Sequence, residues 1–212
     1  MITAIILTWK RHQNIDANLR TLLEEKEITE IIVFDNSGNF KTDLPVTVIN
    51  SNHNFGANIR YSLASSAKND LIFMMDDDIK IKKGLIADLL KYSNNNTACG
   101  ICGKIFNGNS YKTGEIVKSE ELEDYPKEVN HIIAYTLLMP KWMFLNHDYN
   151  KFSWICGELN LFGELKEINK VIVPTDKFTN LHEQVDQYAL SLQSGASEEY
   201  ERVFIQYYLC KS

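Results

Sequence analysis

Along the first half of the chain, short apolar runs alternate with apolar residues at helical spacing. Thr3 to Thr8 reads as a first strand, closed by Trp9-Lys10-Arg11-His12. Ile15, Leu19, Leu22 and Leu23 then share one helical face, with Asn14 placed to cap it. A second strand runs from Glu30 to Phe34 and stops at Asp35-Asn36-Ser37-Gly38, a turn signal. A third covers Val46 to Asn50, and Ile59, Leu63 and Ala67 mark the next helix. The fourth strand, Leu71-Ile72-Phe73-Met74-Met75, is unbroken apolar chain, as expected where both faces are covered. Leu85, Ile86, Leu89 and Leu90 mark a third helix. This order predicts an α/β fold with a mostly parallel central sheet and helices on both faces.

The second half is less regular. Ala98 to Ile105 and His131 to Met139 read as strands, the latter closed by Pro140. The polar stretch 107–130 between them reads as a loop or lid whose charges form a solvated face. Trp154 to Leu165 has the pattern of a short helix entered through Cys156-Gly157, and Val171 to Val173 reads as the last strand. Glu198 to Cys210 is helical, with Val203, Phe204, Tyr207 and Tyr208 on one face. No repeat or interdomain linker is visible. Residues 1–212 are therefore expected to form one domain, with a ligand-binding half at 1–105 and a second half at 106–212.

Composition narrows the function classes. The net charge of -6 argues against a general nucleic-acid binder, yet leaves room for a diphosphate ligand beside a bound metal. Cys99-x-x-Cys102 has no second CxxC and sits in an apolar Ala-Cys-Gly-Ile-Cys-Gly context, so buried free thiols are expected. A reducing compartment such as the cytoplasm follows. The opening run Ile2 to Leu7 is far too short to span a membrane.

The candidate chemistry starts with Asp76-Asp77-Asp78, directly after the fourth strand. Adjacent carboxylates repel unless a cation holds them. A divalent ion with phosphate oxygens on its far side is a natural counter-charge, which points to a nucleotide-sugar site. In such sheets ligands gather at the carboxyl ends of the strands, where Thr8 to Arg11, Asp35 and the three aspartates all fall. Asp78 is the expected metal ligand. Asp76 is expected at a ribose or on the metal, and Asp77 behind them. His182 is a second metal candidate, its imidazole favouring Mn²⁺ over Mg²⁺. Asp35 is placed to accept from a uracil N3–H, and Thr8 and Arg11 to frame the base and a phosphate. Gly56 allows close backbone approach to an anion at a helix start, with Arg60 one turn further on. Glu158 is the candidate general base, or a stabiliser of positive charge at an anomeric carbon. Trp142 and Trp154 are candidates for stacking on sugar rings.

The series Ile-Leu-Thr-Trp-Lys-Arg, Val-Phe-Asp-Asn-Ser, Asn-Phe-Gly-Ala-Asn-Ile-Arg and Met-Met-Asp-Asp-Asp-Ile resembles the GT-A-fold glycosyltransferases over residues 1 to 105. The resemblance implies a UDP-sugar donor, Mn²⁺ or Mg²⁺, a glycan acceptor, ribose contact by Asp76, and metal contact by Asp78 and His182. The Asn-x-Gly-x-x-x-Arg stretch is similar to the inverting family 2. The Leu-Thr-Trp-Lys-Arg opening and the Asp-Asp-Asp-Ile ending are similar to retaining exostosin-like enzymes. Only Glu158-Leu159 stands where many members place an acidic pair, which tips the expectation slightly toward retention. The expected transfer is of a hexose or deoxyhexose. The whole chain also resembles glycosyltransferase domains of large algal (chlorella) viruses, for which the compartment would be the host cytoplasm. Two alternatives stand beside this reading. A sugar-nucleotidyltransferase would carry a glycine-rich loop after the first strand, and Thr8-Trp9-Lys10-Arg11-His12 has no glycine. A non-catalytic nucleotide- or glycan-binding domain would bind UDP without consuming a donor.

Overall fold

The computed structural model describes residues 1–134, 136–181 and 195–209. The chain begins with β1 (Ile2–Thr8), α1 (Ile15–Leu23), β2 (Ile28–Asp35), β3 (Thr47–Asn50), α2 (Ile59–Ser66) and β4 (Leu71–Asp76). It continues through β5 (Ile79–Ile81), α3 (Leu85–Leu90), β6 (Thr97–Gly100), β7 (Cys102–Ile105), β8 (Glu115–Lys118) and β9 (Lys127–Glu128). Then come β10 (His131–Ile132), β11 (Thr136–Pro140), α4 (Gly157–Glu164), β12 (Asn169–Ile172), β13 (Phe178–Asn180) and α5 (Ala196–Phe204).

Eight strands form the central sheet in the order β3-β2-β1-β4-β11-β6-β12-β9. β1, β2, β3 and β4 run parallel, as do β6 and β12, while β11 and β9 run against their neighbours. Successive residues of a strand face opposite sides. Ile2, Ala4 and Ile6 of β1 accordingly pack with Ile15, Leu19 and Leu22 of α1 and Leu85 and Leu89 of α3. Ile5, with Ile72 and Met74 of β4, packs on the other face with Tyr61 and Ala64 of α2 and Phe162 of α4. In β1 and β4 every apolar residue but Leu71 is buried, which explains their unbroken apolar sequence. The register sets Thr8 beside Asp35 and Leu7 beside Asp76, so these strands end at one edge.

Several local expectations change. The run 98–105 is two strands: β6 lies in the central sheet, and β7 leaves it after Ile101 to pair with β10 and β8. The run 131–139 divides in the same way into β10 and β11. Pro140 belongs to β11, beside Leu71. Stretch 107–130 is anchored by β8, by β9 on β12, and by the Ser119 hydroxyl donating to Val173 O. β13, after β12, pairs antiparallel with β5. The inner face of α2 is Arg60, Tyr61 and Ala64, with Ile59 and Leu63 only partly buried.

Asn14 does not cap α1. Its amide donates to Asp77 O at 2.8 Å. One turn later the buried Asn18 donates to Ile79 O (2.7 Å) and accepts from Ile81 N (3.0 Å). Asn14 thus holds the turn before β5, and Asn18 supplies the edge of β5 itself with partners. Asn18→Ala leaves a buried carbonyl and a buried N–H unpaired, and is expected to cost about 2–3 kcal/mol in urea unfolding.

His131 is fully buried, ringed by Phe106, Tyr111 and Phe162, and neither ring nitrogen has a hydrogen-bond partner. Burial first, then Lys104 and Lys170, pushes its pKa down to about 3. Between pH 6.5 and 3 the unfolded chain therefore holds a proton that the folded chain does not. Stability falls as pH falls through that window, by up to about 1.4 kcal/mol per unit. His131→Leu is expected to remove that slope, with stability at pH 7 unchanged or raised, in denaturant titrations at pH 4 to 7.

Candidate active site

The last residue of β4 is Asp76, and the chain turns there through Asp77 and Asp78 into β5. Each carboxylate has a cationic partner, and two of them share one arginine. Asp77 is buried: its Oδ2 accepts from the Thr8 hydroxyl (2.9 Å) and Trp9 N (3.0 Å), and its Oδ1 from Arg11 Nη1 (3.0 Å). The same Arg11 nitrogen donates to Asp78 Oδ2 at 3.2 Å. Asp76 Oδ1 pairs with Arg60 Nη2 at 2.6 Å, and its side chain stays 26% exposed. Desolvation raises the pKa of both Asp76 and Asp77. Arg60 opposes this at Asp76, and the Trp9 N–H and then Arg11 oppose it at Asp77. Two like charges 4 Å apart cost about 4 kcal/mol at an effective dielectric near 20, and an arginine at hydrogen-bond distance offsets a repulsion of that size.

Lys10 takes the chain through the left-handed region (φ 67°), and Trp9 and Arg11 on either side of it both reach Asp77. Thr8 and Arg11, expected to frame a base, have these partners within the chain. Thr8 is buried and bonded to Asp77, and Arg11 bridges two aspartates. Asp77 likewise has both oxygens engaged by the chain. Arg60 is buried, donates to Ala57 O (3.1 Å) and Ala134 O (3.3 Å), and turns its remaining nitrogen to Asp76.

Asp35 was expected at a uracil. Its side chain is fully buried, and both oxygens serve its own turn. Oδ1 accepts from Ser37 N (2.8 Å) and the Ser37 hydroxyl (2.6 Å), and Oδ2 from Asn39 N (2.9 Å) and Phe40 N (2.8 Å). These donors outweigh desolvation and hold its pKa down at about 2. The next residue, Asn36, was missed in the sequence. Its amide accepts from Phe55 N (2.8 Å) and donates to Gly56 O (3.3 Å), tying the end of β2 to the loop before α2. That Asn directly follows the capping Asp was the available signal.

Gly56 has φ 69° and no room for a Cβ, because the Trp154 indole lies against it. Its close approach admits that ring. Asn58 fills the space where Gly157 lacks a Cβ and donates to Ser153 O at 3.0 Å. These contacts bring the start of α4, and Glu158 with it, to the start of α2. Glu158 is buried and accepts from the Tyr200 hydroxyl at 3.0 Å. Desolvation pushes its pKa up, opposed by its own backbone N–H, by Tyr200 and by the Arg60 charge. Trp154 keeps an exposed face beside the site. Trp142 does not belong to it: Lys141 N bonds Asp70 O, and the Trp142 indole bonds Asn95 O, both at the opposite end of β4.

The chain leading to His182 reaches Leu181, whose N–H donates to Asp78 O at 2.9 Å, while His182 itself lies outside the described residues. Among the described residues, no three His, Cys, Asp or Glu side chains group as a cation cage. Mg²⁺ and Mn²⁺ commonly take one or two carboxylates plus substrate phosphates, and the oxygen donors of Asp76 and Asp78 fit that pattern. Cys99, Cys102 and Cys156 are buried free thiols; burial pushes Cys99 and Cys156 up to about 12 and Cys102 to about 11, which suits packing and not metal or redox chemistry. No helix among the described residues is long and apolar enough to cross a membrane.

Solved structures share this architecture. Residues 1–349 of TarS from S. aureus superpose with a TM-score of 0.58 at 15% identity, covering 84% of this chain and 59% of that one. TarS 1–349 in complex with UDP-GlcNAc gives 0.59 at 14% identity, covering 91% and 61%. The mannosyltransferase PcManGT from Pyrobaculum calidifontis, in complex with GDP-Man and Mn²⁺, gives 0.55 at 12%, covering 82% and 55%. At these identities the likeness is one of fold, and this chain spans about three fifths of the TarS structures. No protein of curated function matches it in sequence. The family profile of glycosyl transferase family 2 matches residues 3–154, from β1 through the aspartate turn to the approach of α4. With that match over most of its length and the strand order of a GT-A fold, the chain belongs to glycosyl transferase family 2.

Proposed function

We propose that this chain transfers a hexose or deoxyhexose from a UDP-sugar to a hydroxyl of a glycan, with Mn²⁺ or Mg²⁺ at the aspartate turn. The observation that carries this reading is the pair of partly exposed carboxylates, Asp76 and Asp78, held by two arginines, one of which also acts on Glu158 through its charge. Asp78 and Asp76 would hold the ion, with His182 as the proposed nitrogen ligand. When bound, the ion neutralises charge on the departing diphosphate. Asp76, Asp78 and their arginines stand ready before substrate arrives, so little reorganisation is needed during reaction.

Glu158 acts on the acceptor. As the acceptor oxygen bonds the anomeric carbon and the carbon–diphosphate oxygen bond breaks, Glu158 takes the hydroxyl proton. A carboxylate whose pKa is raised by burial is a better base near neutral pH than an exposed one. Trp154 offers an exposed aromatic face for the acceptor sugar. A carboxylate in this place supplies the base that inversion seemed to lack, and family 2 is the inverting branch of the resemblance. Single displacement with inversion is therefore preferred over retention.

Calorimetric titration of UDP, with and without Mn²⁺, tests the donor site. Binding is expected only with metal, and Asp78→Asn is expected to weaken it at least tenfold while the thermal midpoint moves little. No UDP binding under either condition would remove the donor assignment. Stereochemistry is read separately, from the anomeric proton coupling of the product formed with whichever UDP-sugar the enzyme consumes. Inversion is expected, and a retained configuration would exclude Glu158 as the base of a single displacement.

A further inference from the structure

Glu158 sits at the start of α4 with its partners on three other elements. Arg60 and Tyr61 face it from α2, Tyr200 from α5, and Tyr208 from the turn after α5, while Cys156 lies on its own segment. Of these, Tyr200 makes the hydrogen bond, donating its hydroxyl to Oε1 at 3.0 Å. Tyr200 is itself held. Its ring stacks on Tyr111, with centroids 4.9 Å apart and planes 25° from parallel. Glu201, the next residue, accepts from Tyr111 N and the Ser110 hydroxyl, both at 3.0 Å, fixing α5 to that loop. Val203 and Phe204 bury the inner face of α5 against Cys156 and Leu159. The phenol is thus presented to the carboxylate from a fixed ring on a docked helix.

A carboxylate buried here has two ways to lower its free energy. It can take a proton, which ends its use as a base, or accept a hydrogen bond, which keeps it charged. From this arrangement we infer that Tyr200 is a positioning residue. Its hydroxyl occupies Oε1 of Glu158, holds the carboxylate ionised and leaves Oε2 to the acceptor hydroxyl. α5 is then a part of the active site that residues 3–154 do not contain. The inference rests on the reading of Glu158 as the base, and its test separates the two.

The direct measurement is the carboxyl ¹³C titration of Glu158 in glutamate-labelled protein, its signal assigned by its absence in Glu158→Gln. Tyr200→Phe removes one oxygen and is expected to raise the midpoint by about one unit, a tenfold change in the proton equilibrium. The acid limb of donor consumption should move up by the same amount, with the plateau rate lowered less. An unmoved midpoint in a folded variant, or a midpoint that moves without the acid limb, overturns the role of Tyr200. Should Tyr200→Phe not fold, 3-fluorotyrosine incorporated at position 200 supplies a stronger donor in the same shape. The midpoint is then expected to fall, and an unchanged value overturns the inference. Failure of the underlying reading looks different: Glu158→Gln would keep wild-type donor consumption.

Discussion

The structure is organised around one electrostatic problem, the placing of three consecutive carboxylates at the end of a strand buried on both faces. β4 can be buried only if Asp76, Asp77 and Asp78 find compensation within a few ångströms. The chain meets this by sending each carboxylate a different way. Asp77 turns inward to a hydroxyl, a backbone N–H and an arginine. Asp76 turns to Arg60, and Asp78 shares Arg11. Asn14 and Asn18 then fix the backbone of the turn and of β5. The inward aspartate supports the two that stay partly exposed, so the site's geometry and the strand's burial have a common cause.

Arg60 links this arrangement to the other half of the site. It is paired with Asp76, bonded to the carbonyl before β11, and close enough for its charge to lower the pKa of Glu158. One buried cation therefore serves the carboxylate assigned to the donor and the one assigned to the acceptor. The approach of α4 is steric as well as electrostatic. Gly56 admits the Trp154 ring and Gly157 admits Asn58, and a side chain at either position would push the two segments apart.

Much of this was legible in the sequence, for identifiable reasons. The apolar runs Ala4 to Leu7, Ile31 to Phe34 and Leu71 to Met75 are unbroken because both faces of the sheet are covered, and three strand ends then brought Thr8, Asp35 and the aspartates to one edge. Entry into α4 through Cys156-Gly157 was legible from apolar spacing. What could not be read was partnership. Asp35 and Arg60 are residue types that serve a ligand or the fold equally well, and only the donors around them decide. The division of 98–105 between two sheets depends on β8 and β10, which lie well outside that run. Asn14 and Asn18 did leave a trace, as polar residues four apart on one helix, but their partners in the aspartate turn and β5 are more than sixty residues away in sequence.

The origin of the compensating groups carries one more consequence. Thr8, Trp9, Arg11, Asn14 and Arg60 all precede β4, so the aspartate turn is braced almost entirely by chain that comes before it. Glu158 and Tyr200 come from after residue 150 and brace each other. Arg60 reaches both groups, through its ion pair with Asp76 and its charge beside Glu158. Changes within α4 or α5 can therefore reshape the acceptor side without disturbing Asp76 and Asp78, whereas a change at Arg60 acts on both. On the proposed reading, that division lets the Glu158 side vary without loss of the aspartate turn.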